Sequence, residues 1–165
     1  MKENVLRRVR HVVLESLYEG ETSTHDPEVT FQRRIRELSE EDEEVGEHGP
    51  KSFGLGMLRG VLGRQRELDA MIQQAAPRFP LESMAVVDRN ILRLALWELV
   101  THTSAPTGAV VNEAVELARR YGGERTPGFV NGVLRTLAEK VRGAGAASNV
   151  PDPQEHPNQN NQESS

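Results

Sequence analysis

Four groups that are cationic or can become so, Arg7, Arg8, Arg10 and His11, fall within five residues near the start of the chain, with no acid among them. Guanidinium groups neutralise phosphates and stack on bases, so this cluster points toward an anionic partner. An ordinary solvated helix face is the competing reading. Other reactive combinations are missing. The histidines His11, His25, His48, His102 and His156 sit in separate segments and form no HExxH or similar ligand pair. There is no cysteine, which excludes a thiol nucleophile, a thiolate metal site and a disulfide scaffold. No GxSxG elbow occurs, and the carboxylates lie mostly in exposed runs where solvation is the default. Gly54, Gly56, Gly60 and Gly63 do not form a phosphate loop: the spacing is not GxGxxG, no strand precedes it and no GK[ST] ending follows. Close approach of a neighbouring helix accounts for them better. The chain therefore reads as a binding protein, with no catalytic residue, metal or cofactor expected.

The elements that must position these groups are helical. With 165 residues, 36% apolar and only 4% aromatic, the chain suits a single domain whose core is built from Leu, Val, Ile and Ala on packed helices. A first helix over residues 3–19 places Val5, Val9, Val12, Val13 and Leu17 on one arc and the basic cluster on the other. A second helix is expected over 27–38, with Pro27 in its first turn. Residues 39–51 lack periodicity and read as a mobile acidic loop whose spacing fits no calcium-loop pattern. A third helix is expected over 52–75. Pro77 and Pro80 then bracket a connection.

Asp88 is placed to cap or charge the start of the next helix. Its wide stripe, Ile91, Leu92, Leu94, Ala95, Leu96, Leu99 and Val100, implies packing on more than one side. Another helix carries Val110, Val111, Ala114, Val115, Leu117, Ala118 and Tyr121, and stops at Gly122 and Gly123. Thr126-Pro127 reads as a cap and first-turn proline for a last helix ending near Arg142. The expected architecture is all-α, about six to seven helices in one domain over 1–142. A low-complexity tail over 143–165 is expected to be disordered.

Charge is unevenly distributed. The net charge is -5, yet residues 19–47 hold eleven acids against three bases, and the tail adds three acids and no base. The remainder carries seventeen bases and eleven acids, so the expected folded body is mildly basic. No apolar run approaches the roughly 20 residues that span a bilayer, and the N-terminus has no uninterrupted apolar stretch of the secretory kind. A cytoplasmic location is expected, with no membrane partner.

Three strings, VDRNILRLALWEL, VVNEAVELARRYG and FVNGVLR, together with the opening RRVRHVVLESLY, resemble the NusB family of bacterial transcription antitermination factors. Gly60-Val61, Asp69 and Ile72 agree with it. The resemblance runs from about Val5 to Arg142, and is weak over 22–52. It implies an all-helical domain that binds the boxA segment of nascent ribosomal RNA transcripts, as single strand. The partner would be NusE, a protein of the small ribosomal subunit, and the pair would load an antitermination complex onto RNA polymerase. The resemblance places RNA along the first helix, at Arg7, Arg8 and Arg10, and at the turn before the last helix, at Gly123, Arg125 and Phe129. It places the NusE-facing surface at Tyr18, Glu82 and Asp88.

The residues themselves leave alternatives open. Phe129 reads as core or as a partial RNA contact, Tyr18 as interface or as packing, and Trp97 as core or interface rather than an RNA platform. Asn112 and Asn131 read as satisfying helix ends or cross-helix bonds. The chain departs from the family where a Glu-Asp-Ser-x-Lys-Phe run is usual, having Glu124-Arg125-Thr126-Pro127-Gly128-Phe129, and His11 and Glu15 stand where Glu and Gln are usual. Two other functions fit less of the sequence. One is a stand-alone module assisting ribosomal RNA modification; the other is a helical protein–protein adaptor.

Overall fold

Valine and leucine at helical spacing set the buried face of each helix. The computed structural model describes residues 3–143, so the expected disordered tail, Gly143 apart, lies outside the described residues. α1 (Glu3–Thr22) buries Val5, Val9, Val12, Val13, Leu14 and Leu17 and packs on α2 (Pro27–Glu41), α3 (His48–Gly63) and α5 (Val86–Thr101). The remaining helices are α4 (Gln65–Ala75), α6 (Thr107–Tyr121) and α7 (Thr126–Arg142), with two short 3-10 helices, Glu43–Gly46 and Leu81–Ser83. Among the described residues there is no strand. The all-α expectation holds.

α5 is the central helix. Every residue from Asn90 to Leu99 is buried, and the helix packs on α1, α3, α4, α6 and α7. A helix enclosed this fully must satisfy its polar groups internally. Arg93 does so with Asp69 of α4, at 2.7 and 2.9 Å, and with Glu21 of α1, tying three helices together. At the other end of α5, Arg142 of α7 donates to the carbonyls of Leu99, His102 and Ala105, tying the last helix to the end of the central one. Trp97 is core.

Four local expectations need correction. The single helix over 52–75 is two, α3 and α4, broken at Arg64 (φ -116°, ψ 17°). Gly60 and Gly63 weaken the helix there, and the break lets Met57, Leu58 and Val61 of α3 and Leu68 and Ile72 of α4 each face the core. Residues 39–51 are not a loop: α2 runs to Glu41, a 3-10 turn follows, and α3 begins at His48. Fully buried Val45 anchors that turn, and the Asp42 side chain caps it by accepting from the Glu44 N–H at 3.2 Å. Of the four glycines, only Gly54 (against Val9 and Phe31) and Gly60 (against Trp97) meet a neighbouring helix, whereas Gly56 and Gly63 face open space. Asn112 and Asn131 cap nothing: Asn112 is exposed, and Asn131 accepts from Arg135 within its own helix.

Candidate nucleic-acid interface

The three arginines of α1 do not share one face. Arg7 forms a fork with Glu113 of α6, at 2.8 and 3.1 Å, and Arg8 reaches Asp42 at 2.9 Å. Both side chains remain 46% exposed. The Glu113 carboxylate, hydrogen-bonded to Arg7, is held below its ordinary pKa. Arg10 turns inward instead. It forms a fork with Glu98 of α5 at 2.6 and 3.1 Å and lies 5.2 Å over the Phe53 ring. Its side chain is 13% exposed and that of Glu98 only 4%. The expected solvent-facing cationic stripe is thus corrected: tertiary packing supplies a buried carboxylate that removes Arg10 from it.

Arg7 and Arg8 line a cleft of about 480 Å³ together with His11, Arg34 and Arg120. His11 packs edge-on against Tyr121 at 5.5 Å. Burial first, then the neighbouring Arg120, lowers its pKa, so it adds little positive charge near neutrality. The Tyr121 hydroxyl donates to Glu15 at 2.6 Å, and Arg34 donates to the same carboxylate at 2.8 Å. Burial and that carboxylate push the Tyr121 pKa up to about 12. The departures His11 and Glu15 are therefore parts of one network joining α1, α2 and α6.

Glu15 and Arg34 also border a second cleft, of about 430 Å³, which holds Tyr18, Val87 and Tyr121. Tyr18 is 44% exposed, so it is not merely packed. Asp88, next to Val87, faces a third cleft of about 430 Å³ instead, shared with Arg78, Phe79, Arg125, Thr126 and Phe129. Exposed Glu82 lies on the short 3-10 helix and lines neither. The structure therefore separates Tyr18 from Asp88 and brings Asp88 to the turn that carries Arg125 and Phe129.

That turn is built around Thr126. It is buried and is the first residue of α7, not the cap expected from Thr126-Pro127; Arg125 holds the cap position. Its hydroxyl accepts from the Gly123 N–H at 3.0 Å and donates to the Asp88 carboxylate at 3.2–3.3 Å. Burial raises the Asp88 pKa. Phe129 is half-buried against the core and meets Phe79 edge-on at 4.9 Å. Sequence reasoning missed Arg34, Arg78, Phe79 and Arg120. Phe79 had a legible signal, since an aromatic between two prolines has no helix face on which to hide.

The NusB family model matches residues 7–139. The chain is 34% identical to the transcription antitermination protein NusB of Dehalococcoides mccartyi, over 82% of this chain and 90% of that protein. It is 36% identical to that of Roseiflexus castenholzii, over 82% and 92%. Among solved structures, T. maritima NusB superposes with a TM-score of 0.72 at 30% identity, covering 82% of this chain and 91% of that one. A structure of antitermination factors NusB and NusE in complex with dsRNA gives 0.70 at 23% identity, covering 84% and 99%, which bears on the fold alone.

Proposed function

The chain belongs to the NusB family, and from that premise we propose that it is an RNA-binding transcription antitermination factor. It binds boxA-type single-stranded RNA of nascent ribosomal RNA transcripts as a heterodimer with a NusE-type protein, and the pair joins an RNA polymerase antitermination complex. The observation that carries this reading is the family match itself, which spans both the arginine helix and the turn at 122–129. The solved structure of antitermination factors NusB and NusE in complex with dsRNA supports a NusE-type protein and RNA as partners.

Exposed ion pairs contribute only about 0–1 kcal/mol. Phosphates can therefore displace Glu113 and Asp42 from Arg7 and Arg8 at little cost. Arg10, held by a buried carboxylate, supports the helix rather than the RNA. Gly123, Arg125 and Phe129 contact RNA at the second location, and Tyr18, Glu82 and Asp88 face the protein partner.

Affinity for a boxA-type RNA, measured across salt concentrations with and without the NusE-type protein, tests the reading. The lone chain is expected to bind weakly and the pair clearly tighter. Replacing Arg7 and Arg8 with alanine should flatten the salt slope by about 1.4, at roughly 0.7 per phosphate contact on single strands. An unchanged slope removes α1 from the RNA path.

A further inference from the structure

We propose that Arg34 is a shared cation whose release couples the two binding events. The protein partner takes over the Glu15 and Glu19 carboxylates that hold it, and the freed guanidinium turns into the arginine cleft to meet an RNA phosphate. This rests on the RNA-binding reading above and deepens it, by naming the residue through which partner and RNA tighten each other.

Arg34 stands on α2 between the arginine cleft and the Tyr18 cleft and lines both, as Glu15 of α1 does. Its Nη1 donates to Glu15 at 2.8 Å and its Nη2 to Glu19 at 3.3 Å. The hold is incomplete. The Arg34 Nε–H is buried and has no acceptor among the described residues, and a buried donor left unpaired works against the position that strands it. The Arg34 and Glu15 side chains are each 32% exposed, so solvent screens the pair and its exchange for another costs little. Both carboxylates also have other donors. Glu15 accepts from the Tyr121 hydroxyl at 2.6 Å, and Glu19 from the Thr30 hydroxyl at 2.5 Å and from Arg33 at 3.4 Å, with the His25 ring at 3.2 Å. They remain served when Arg34 leaves.

What the partner must bring is positive charge. The Tyr18 cleft presents two carboxylates, Glu15 and Glu19, and among the described residues Arg34 is its one cation. A lysine or arginine of the partner seated beside Tyr18 pairs with those carboxylates and repels Arg34. In the arginine cleft the freed group joins Arg7, Arg8 and Arg120 and offsets Glu37 and Glu41 of its own helix. A ligand moves such an equilibrium only by its differential affinity for the two positions. Here both ligands favour the same one, the partner through the vacated carboxylates and RNA through its phosphate. Arginine suits the role, since its long stem reaches either cleft and its guanidinium stays charged in both.

The test uses the full chain, a NusE-type protein and a fluorescent boxA-type RNA, with RNA affinity measured across salt concentrations with and without saturating partner. In the complex, R34Q should lose one phosphate contact, flattening the salt slope by about 0.7 relative to wild type. In the lone chain the two slopes should agree. The tightening that the partner brings should shrink about fivefold in R34Q, the low end of ordinary coupling factors, and R34K should keep most of it. Partner affinity without RNA should not fall in R34Q, because Arg34 only competes there; a fall makes Arg34 a partner contact and overturns the release. E19Q keeps an acceptor for Thr30 but loosens Arg34, so the lone chain should bind RNA about threefold tighter, a gain that E19Q/R34Q should lack. A gain that persists without Arg34 is a general charge effect and overturns the proposal. Should R34Q not fold, the lone-chain slope of E19Q decides: a rise of about 0.7 supports release, and no rise overturns it. Equal slopes and equal coupling for the R34Q and wild-type complexes overturn it and leave the RNA-binding reading intact. If the wild-type chain with its partner ignores boxA-type RNA altogether, the reading beneath fails too.

Discussion

Arg7 and Arg10 sit three residues apart on α1 and have opposite energetic roles. Removing Arg10 strands the Glu98 carboxylate, whose side chain is 4% exposed, and breaking a buried pair from one side costs about 3–5 kcal/mol. Removing Arg7 breaks a pair whose arginine is 46% exposed, worth about 0–1 kcal/mol. Urea unfolding should therefore separate R10A from R7A by several kcal/mol, with R10A/E98Q recovering part of the loss. Comparable midpoints would show that Glu98 is solvated. The arginines were legible in the sequence as a cluster, but their sorting was not, because Glu98, Glu113 and Asp42 arrive from distant segments. The same network makes Tyr121 report on pH. Its folded pKa, about 12, lies above the ordinary 10.0, so the folded state keeps a proton that the unfolded chain releases. Stability should accordingly fall as pH rises from about 10 toward 12. Ring NMR should show Tyr121 titrating near the top of that window, and E15Q should move it down; an unmoved titration would leave burial as the whole cause.

At the scale of elements, glycine distinguishes what packing decides from what periodicity decides. A methyl group on Gly60 collides with the Trp97 ring, while one on Gly56 meets nothing. G60A should destabilise by about 1–3 kcal/mol through overpacking, whereas G56A should stabilise by up to about 1 kcal/mol through helix propensity. Differential melting of the two variants checks this, and similar effects would mean that α3 and α5 do not cross at Gly60. Periodicity made α1, α2, α5, α6 and α7 readable, since each carries a continuous buried stripe. It failed at residues 39–51, where order depends on one buried valine and a single capping aspartate. It failed again at Arg64, where the stripe continues in sequence although the helix breaks.

Across the whole molecule the clefts form a sequence. Glu15 and Arg34 border both the arginine cleft and the Tyr18 cleft, and adjacent Val87 and Asp88 link the latter to the Phe79–Phe129 corner. Arg120 stands at one end and Arg78 and Arg125 at the other, none in an ion pair among the described residues. Of the acids between them, Glu15 and Glu19 are paired with Arg34 and Glu21 with Arg89 and Arg93, whereas Glu37 and Glu41 of α2 line the arginine cleft with, among the described residues, only a 4.0 Å contact from Glu37 to Arg33. A negative total charge is thus compatible with an anion path along this side. A protein partner seated on Tyr18 and Val87 lies between the two cationic ends, where it can complete the path without replacing either. Partner and RNA should then tighten each other by the same factor in either binding order, as linkage requires. Tyr18 is exposed, so Y18A should leave the fold and the lone chain's RNA affinity unchanged while shrinking that common factor. Calorimetric titrations in both orders measure it. Full coupling in Y18A would place the partner elsewhere, and RNA affinity lost in the lone variant would make Tyr18 an RNA contact instead.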